Sequence, residues 1–226
     1  MRKDYILDRW VVIATQRKQR PADFVKTKVK RKLSSCPFCP GNEHMTPPAV
    51  LVYLKREGKI IKERDKDGLR HKDWLVRCVS NLYPAFMPPS DKESEIKKAE
   101  RFDSMMAAGR HEVLIESPNH DEHPSVAGVS HLILILNAYR DRFKALSSKK
   151  YVKYVSIFRN HGPDAGASLS HAHTQIIATP VVPPIVKEES IKSECFWNES
   201  GRCVFCSIIE KERKSPRLIW ENNSFL

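Results

Sequence analysis

No run of apolar residues in this chain approaches the roughly 20 needed to cross a bilayer. Nothing apolar of signal-peptide length follows the opening Met1-Arg2-Lys3-Asp4-Tyr5. The expectation is a cytoplasmic protein with no membrane partner. Acidic residues are short: 27 Asp and Glu stand against 39 Lys and Arg, a net charge of +12. Such an excess suits anionic partners, among them nucleic acid and phosphorylated small molecules, or it is simply a solvated basic surface. Aromatic residues are missing from the basic stretches 26–32 and 92–98. Neither is therefore a stacking platform for bases, and no nucleic-acid partner is expected. Histidine is absent beyond Cys206, so that end of the sequence cannot complete a cysteine–histidine metal site by itself.

What is present suits a packed, soluble domain. The 226 residues are 41% hydrophobic and 29% charged, enough for one large domain or one domain and part of another. Alternating or β-branched runs predict strands over residues 8–14, 73–79, 109–116, 152–158 and 169–179, with a hairpin across Gly58. Leu132, Ile133, Ile135, Leu136, Tyr139, Phe143 and Leu146 recur at gaps of three and four, which predicts an amphipathic helix over residues 129–146. From residue 187 the composition turns polar and reads as a linker. A second Cys-x-x-Cys knuckle at Cys203 and Cys206 follows, then a strand from Leu218. The expected division is a domain over 1–186 and the opening of another over 187–226, as in the N-terminal portion of a longer protein.

Chemistry concentrates in three places. Cys36-Pro37-Phe38-Cys39-Pro40-Gly41 is a Cys-x-x-Cys on a proline- and glycine-bound turn, which fits half of a tetrahedral zinc site better than a redox pair opening a helix. His120 lies in a turn, where a metal ligand is easily presented and where a solvated histidine is equally at home. Arg17 and Arg20 flank a basic turn closed by Pro21; two guanidinium forks there can clamp a phosphate, or the turn is an exposed basic loop. The third place is Ser168-Leu169-Ser170-His171-Ala172-His173-Thr174-Gln175. On a strand His171, His173 and Gln175 point the same way. The glycine-bearing turn over 162–166 can aim backbone N–H groups at an anion. A histidine nucleophile, an amide donor and a phosphate cradle together suit phosphoryl transfer.

Several blocks in order identify a resemblance. Residues 9–14 with Arg17 and Arg20-Pro21, the Cys36–Cys39 turn, the run around Asn81, His111-Glu112-Val113 leading to Ser117-Pro118-Asn119-His120, Ala138-Tyr139-Arg140-Asp141-Arg142, and residues 160–175 ending in His-Ala-His-Thr-Gln together resemble the galactose-1-phosphate uridylyltransferase family of the histidine-triad superfamily. The resemblance implies an α+β fold, with a histidine-triad-like antiparallel sheet carrying helices on one side, followed by the start of a second similar domain. It implies His173 as nucleophile and Gln175 as donor to the transferred phosphoryl oxygens. It implies zinc held by Cys36, Cys39, His120 and His171, and a partial second site at Cys203 and Cys206. Asn81, Val113, Asn160, Gly166 and Ser168 match the nucleotide and diphosphate pocket, and Arg17 and Arg20 match phosphate contacts. The implied substrates are UDP-glucose and galactose 1-phosphate, with a homodimer of the full-length protein.

Three other readings stay open. One is an adenylyl-transferring relative acting on an ADP-sugar or a dinucleoside polyphosphate. Another is a non-catalytic nucleotide-binding zinc module, and the third is a basic zinc protein on nucleic acid. The family motif usually reads His-Pro-His where this chain has Ala172, and Leu82-Tyr83 departs from some bacterial members near the base.

Overall fold

The computed structural model describes residues 1–3, 9–13, 36–66, 68–89 and 104–225. Arg17, Arg20 and the two basic stretches lie outside them. Contacts divide the chain into two units, Met1–Val181 and Val182–Leu226.

The first unit is α+β. Short strands β1 (Arg2–Lys3) and β2 (Trp10–Val11) pair with each other. Six longer strands follow: β3 (Ala49–Arg56), β4 (Lys59–Glu63), β5 (Trp74–Ser80), β6 (Arg110–Ile115), β7 (Tyr154–Phe158) and β8 (His173–Thr179). They form one antiparallel sheet in the order β4-β3-β5-β6-β8-β7. Helix α1 (Val129–Ser147) packs on one face, as its three- and four-residue apolar gaps require. Ile135, Ala138 and Leu146 of α1 meet Tyr53, Cys78, Leu114, Ile176 and Ala178 of the sheet. The opposite face carries a second cluster in which Cys36 and Phe38 join Val52, Val79, Val113 and Ile115. Among the described residues no helix is long and apolar enough to cross a membrane.

Register in the centre of the sheet places the chemistry. In β8 the even-numbered Thr174, Ile176 and Ala178 are buried toward α1, and His173 and Gln175 face the other way. Val113 of β6 lies opposite Gln175, and Ile115 opposite His173. Gly109, just before β6, has no room for a side chain: a Cβ there would sit 2.1 Å from the Ala178 carbonyl oxygen. That close approach holds β6 and β8 at this register.

A buried polar group fastens the cysteine turn to the sheet. Glu43 accepts from the Trp74 indole at 2.9 Å and from the Gly41 N–H, and Arg77 donates to Thr46 Oγ1 at 2.6 Å. Arg77 also donates to Asp65 at 2.9 Å, and Asp65 takes further bonds from the Ala49 and His71 N–H groups and the His71 ring. Burial opposes ionisation of Asp65, but these donors outweigh it and bring its pKa down to about 2. Because the folded value lies below the unfolded one, the stability it contributes is complete above about pH 4. It is lost as the pH falls toward 2. Asp65→Ala leaves a guanidinium that is 1% exposed without its carboxylate. The expected cost is about 3–5 kcal/mol in urea unfolding at neutral pH. A cost below about 1 kcal/mol would show that the pair holds nothing.

The second unit corrects the sequence reading. Residues 184–200 are not a linker but helix α2 (Pro184–Ser200), and Cys203 and Cys206 sit at the start of helix α3 (Val204–Glu212) rather than on a free knuckle. Pro184 opens α2, and Gly201 ends it in the left-handed region at φ 66°, its N–H reaching the Trp197 carbonyl at 2.8 Å. Among the described residues no strand forms after Leu218. Asn222 Oδ1 instead accepts from the Ser224 and Phe225 N–H groups at 2.9 and 2.8 Å, curling that run into a turn.

Candidate active site and metal centre

The cysteine turn is built by short-range bonds. The Cys39 N–H reaches the Cys36 carbonyl at 3.2 Å, Asn42 Nδ2 reaches the same oxygen at 2.8 Å, and Gly41 takes φ 89°, which a side chain would disfavour. Both thiols therefore point to one place. The turn after β6 brings His120 there, and the segment entering β8 brings His171. Cys39 Sγ lies 3.3 Å from His120 Nδ1 and 3.6 Å from His171 Nδ1, and Cys36 Sγ lies 3.7 Å from His171 Nδ1. All four ligand atoms fall within 4.8 Å of one another, and the group can hold a metal ion.

The outer nitrogens are fixed as a ligand set needs. His171 Nε2–H donates to the Ser117 carbonyl at 2.8 Å, so Nδ1 carries the lone pair. His120 Nε2 meets Ser170 Oγ at 3.0 Å. Burial drives the His171 pKa down to about 4, which keeps it a neutral donor. Burial and the neighbouring Cys36 push the Cys39 thiol up to about 11, and a divalent cation is what reverses such a shift.

His173 begins β8 and is turned away from this group. Its Nδ1–H donates to the His171 carbonyl at 2.8 Å, placing the lone pair on Nε2. The carbonyl two residues back therefore sets the tautomer of the ring. His171 departs from expectation. It precedes the strand and is fully buried, so it does not share the half-exposed face of His173 and Gln175. The Phe38 ring meets His173 edge-on at 5.3 Å between centroids, so the cysteine turn reaches the second histidine as well. Gln175 Oε1 accepts from His111 Nε2 at 3.0 Å.

The other anticipated residues are distributed as follows. Val113 is buried opposite Gln175, and Asn81 lies 3.1 Å from His111 Nε2 with its Oδ1 taking the Tyr83 N–H. Asn160, Gly166 and Ser168 are half-buried in the loop between β7 and β8. Gly166 takes φ 81°, and the Gly166 and Ala167 amides bond inward to Pro163 and Gly162 carbonyls at 2.9 and 3.1 Å. Cys203 and Cys206 belong to the second unit. Sequence reading assigned no role to Ser117, Phe38 or His111. For His111 a signal existed: it stands two residues from Val113 on β6, hence on the same face.

Comparison with known proteins gives a family match over part of the chain. Residues 76–183 match the family described as galactose-1-phosphate uridyl transferase, N-terminal domain. That stretch resembles the N-terminal domain of that family. Among curated galactose-1-phosphate uridylyltransferases the chain is 24% identical to that of Thermotoga maritima over 231 residues, covering 100% of this chain and 60% of the relative. It is 32% identical to an ADP-glucose phosphorylase of Arabidopsis thaliana over 227 residues, covering 99% of this chain and 59% of that one. A crystal structure of an ADP-glucose phosphorylase from Arabidopsis thaliana with bound ADP-glucose superposes with a TM-score of 0.63 at 31% identity, over 92% of this chain and 57% of that one. The chain thus spans about 60% of the length of these curated relatives.

Proposed function

We propose that this chain carries the nucleophile of a nucleotidyltransferase acting on a nucleoside diphosphate sugar. The observation that supports this reading is the Nδ1–H bond from His173 to the His171 carbonyl at 2.8 Å, which leaves the Nε2 lone pair as the reactive one. In the proposed reaction Nε2 attacks the α-phosphorus, the bond to the bridging oxygen breaks, and the sugar 1-phosphate leaves with that electron pair. An acceptor phosphate oxygen then attacks the nucleotidyl-histidine, and the imidazole is released neutral. Gln175 donates to a phosphoryl oxygen, and Arg17 and Arg20 are assigned phosphate contacts on the family pattern. Such transfer depends mainly on positioning and charge stabilisation.

Zinc is the proposed metal. With Zn–S of about 2.3 Å and Zn–N of about 2.0–2.1 Å, a tetrahedral ion spans sulfur–nitrogen edges of about 3.6 Å. The observed separations are 3.3, 3.6 and 3.7 Å. Four protein ligands leave no position for substrate, so the ion would be structural, tying the cysteine turn and the His120 turn to the entry of β8.

Two nucleotides have support. The family and its curated uridylyltransferases favour UMP transfer from UDP-glucose to galactose 1-phosphate. The higher identity to ADP-glucose phosphorylase favours AMP transfer from ADP-glucose to phosphate. Incubating the protein with each sugar nucleotide and measuring intact mass distinguishes them. One nucleoside monophosphate is expected to add, and peptide mapping is expected to place it on His173. Absence of an adduct with either donor, together with no sugar 1-phosphate release, would leave a binding module instead.

A further inference from the structure

An amide that must donate to a phosphoryl oxygen has a symmetry problem. Its oxygen and NH2 ends have nearly the same shape, so packing alone does not choose which one faces the substrate. With the oxygen outward, Gln175 would set a lone pair against phosphoryl oxygens. Some group behind it has to select the donor end.

We propose that His111 is that positioning residue: its Nε2–H holds Gln175 Oε1, so that Gln175 meets the phosphoryl group with its NH2. The inference rests on the transfer chemistry proposed above and adds a residue to which that reading gave no part.

The selection starts from a group that cannot flip. The backbone N–H of Ala85 points at His111 Nδ1, 3.1 Å away. Nδ1 must then accept, and a neutral imidazole accepting there carries its proton on Nε2. That proton meets Gln175 Oε1 at 3.0 Å. The bond to His111 takes the oxygen end of the amide, and the end that remains can only donate.

Asn81 tests the assignment, because its Nδ2 lies 3.1 Å from the same His111 nitrogen. Its own orientation is set by the Tyr83 N–H, which donates to Oδ1 at 2.8 Å. If Nε2 accepted from Asn81, the proton would move to Nδ1 and stand against the Ala85 N–H. Nε2 would also lose its bond to the Gln175 oxygen. Of the bonds to Ala85, Asn81 and Gln175, one tautomer makes two and the other makes one. His111 is 2% exposed, so water does not make up the difference. In the first tautomer Asn81 Nδ2 faces Nε2–H and in the second the Ala85 N–H faces Nδ1–H, a cost of about 1–3 kcal/mol either way, so the bond to Gln175 decides between them.

The backbone holds the pair in reach. His111 is registered opposite Ile177 on β8, and Gln175 is its diagonal neighbour on the same face. The Asn81 N–H also donates to the His111 carbonyl at 2.8 Å, which fixes the end of β5 beside the ring. The chain of orientation therefore runs from the Ala85 backbone through an imidazole to the amide beside the nucleophile.

The test is a double-mutant cycle on the first half-reaction, followed as nucleotidylation of the protein by whichever sugar nucleotide proves to be the donor. His111→Phe keeps a ring and removes the donor. It is expected to slow transfer by about 10²-fold, the usual effect of losing one oriented donor, with the sugar-nucleotide KM within about threefold. In a Gln175→Ala background the same change is expected to add less than about twofold, because nothing remains to orient. His111→Gln, which can still donate at similar reach, is expected to recover most of the rate. His111→Glu has the same shape as Gln but only accepts, and is expected to be as slow as His111→Phe. The Gln/Glu pair carries the test should the Phe variant not fold. Equal losses from His111→Phe in both backgrounds would overturn the proposal, as would a folded His111→Gln as slow as His111→Glu. Wild-type rates in Gln175→Ala alone would instead overturn the role given to Gln175, and this proposal with it.

Discussion

Replacing His173 by alanine is expected to lower nucleotidyl transfer by about 10⁴-fold or more, abolish the covalent adduct, and leave the fold and the metal complement intact. The size follows from removing the nucleophile itself, since orientation and charge stabilisation cannot supply the missing bond. The selectivity follows from where the side chain sits. His173 is half-exposed at the start of β8 and is not one of the four clustered metal-ligand candidates. Its donation to the His171 carbonyl and its edge contact with Phe38 are together worth about 1–2 kcal/mol. A melt should shift by only a few degrees, and elemental analysis should return wild-type metal. An adduct that persists in the alanine variant would put the nucleophile elsewhere. Loss of metal with the imidazole would reverse the roles of the two histidines.

How much of this could be read from residues alone depends on the range of the interactions involved. Helix α1 was legible because its core-facing side is written in one repeating interval. The β3–β4 hairpin was legible because a glycine interrupts two β-rich runs. The shared face of His173 and Gln175 follows from strand geometry. His171 broke that pattern because the regular strand begins only at His173. Just before it the Ala172 carbonyl takes the Glu116 N–H at 3.2 Å, and His171 turns inward to the Ser117 carbonyl. Sequence distance hides such partners: 54 residues separate His171 from Ser117, and 64 separate Gln175 from His111. Helix α2 was missed for the opposite reason. It buries no residue of its own, so apolar periodicity is silent, although proline at its start and glycine at its end marked its limits.

Cys36→Ala tests the other half of the arrangement and is expected to remove the metal and cost at least about 4 kcal/mol. Structural zinc contributes about 10–16 kcal/mol of binding free energy in small domains, against a total stability of about 5–15 kcal/mol. The loss here should be smaller, because the sheet and α1 form a core that does not touch the ion. At about 2–4 °C per kcal/mol for a chain of this size, the melting temperature should fall by about 8–16 °C. The fall should reach catalysis too. Without the ion the Cys39 thiol stays protonated, and the turn that presents Phe38 to His173 keeps its bonds through Glu43 and Thr46 and its packing on Val79 but loses its tie to His120 and His171. His171 keeps its bond to Ser117, so the entry to β8 should loosen rather than unfold, and transfer should slow before the protein melts. A chelator applied to the wild-type protein is expected to reproduce both effects. Cys195→Ser, an exposed cysteine outside the cluster, is expected to show neither. A Cys36→Ala protein with full metal and an unchanged melt would remove the metal from this site and leave the two thiols as a packed pair.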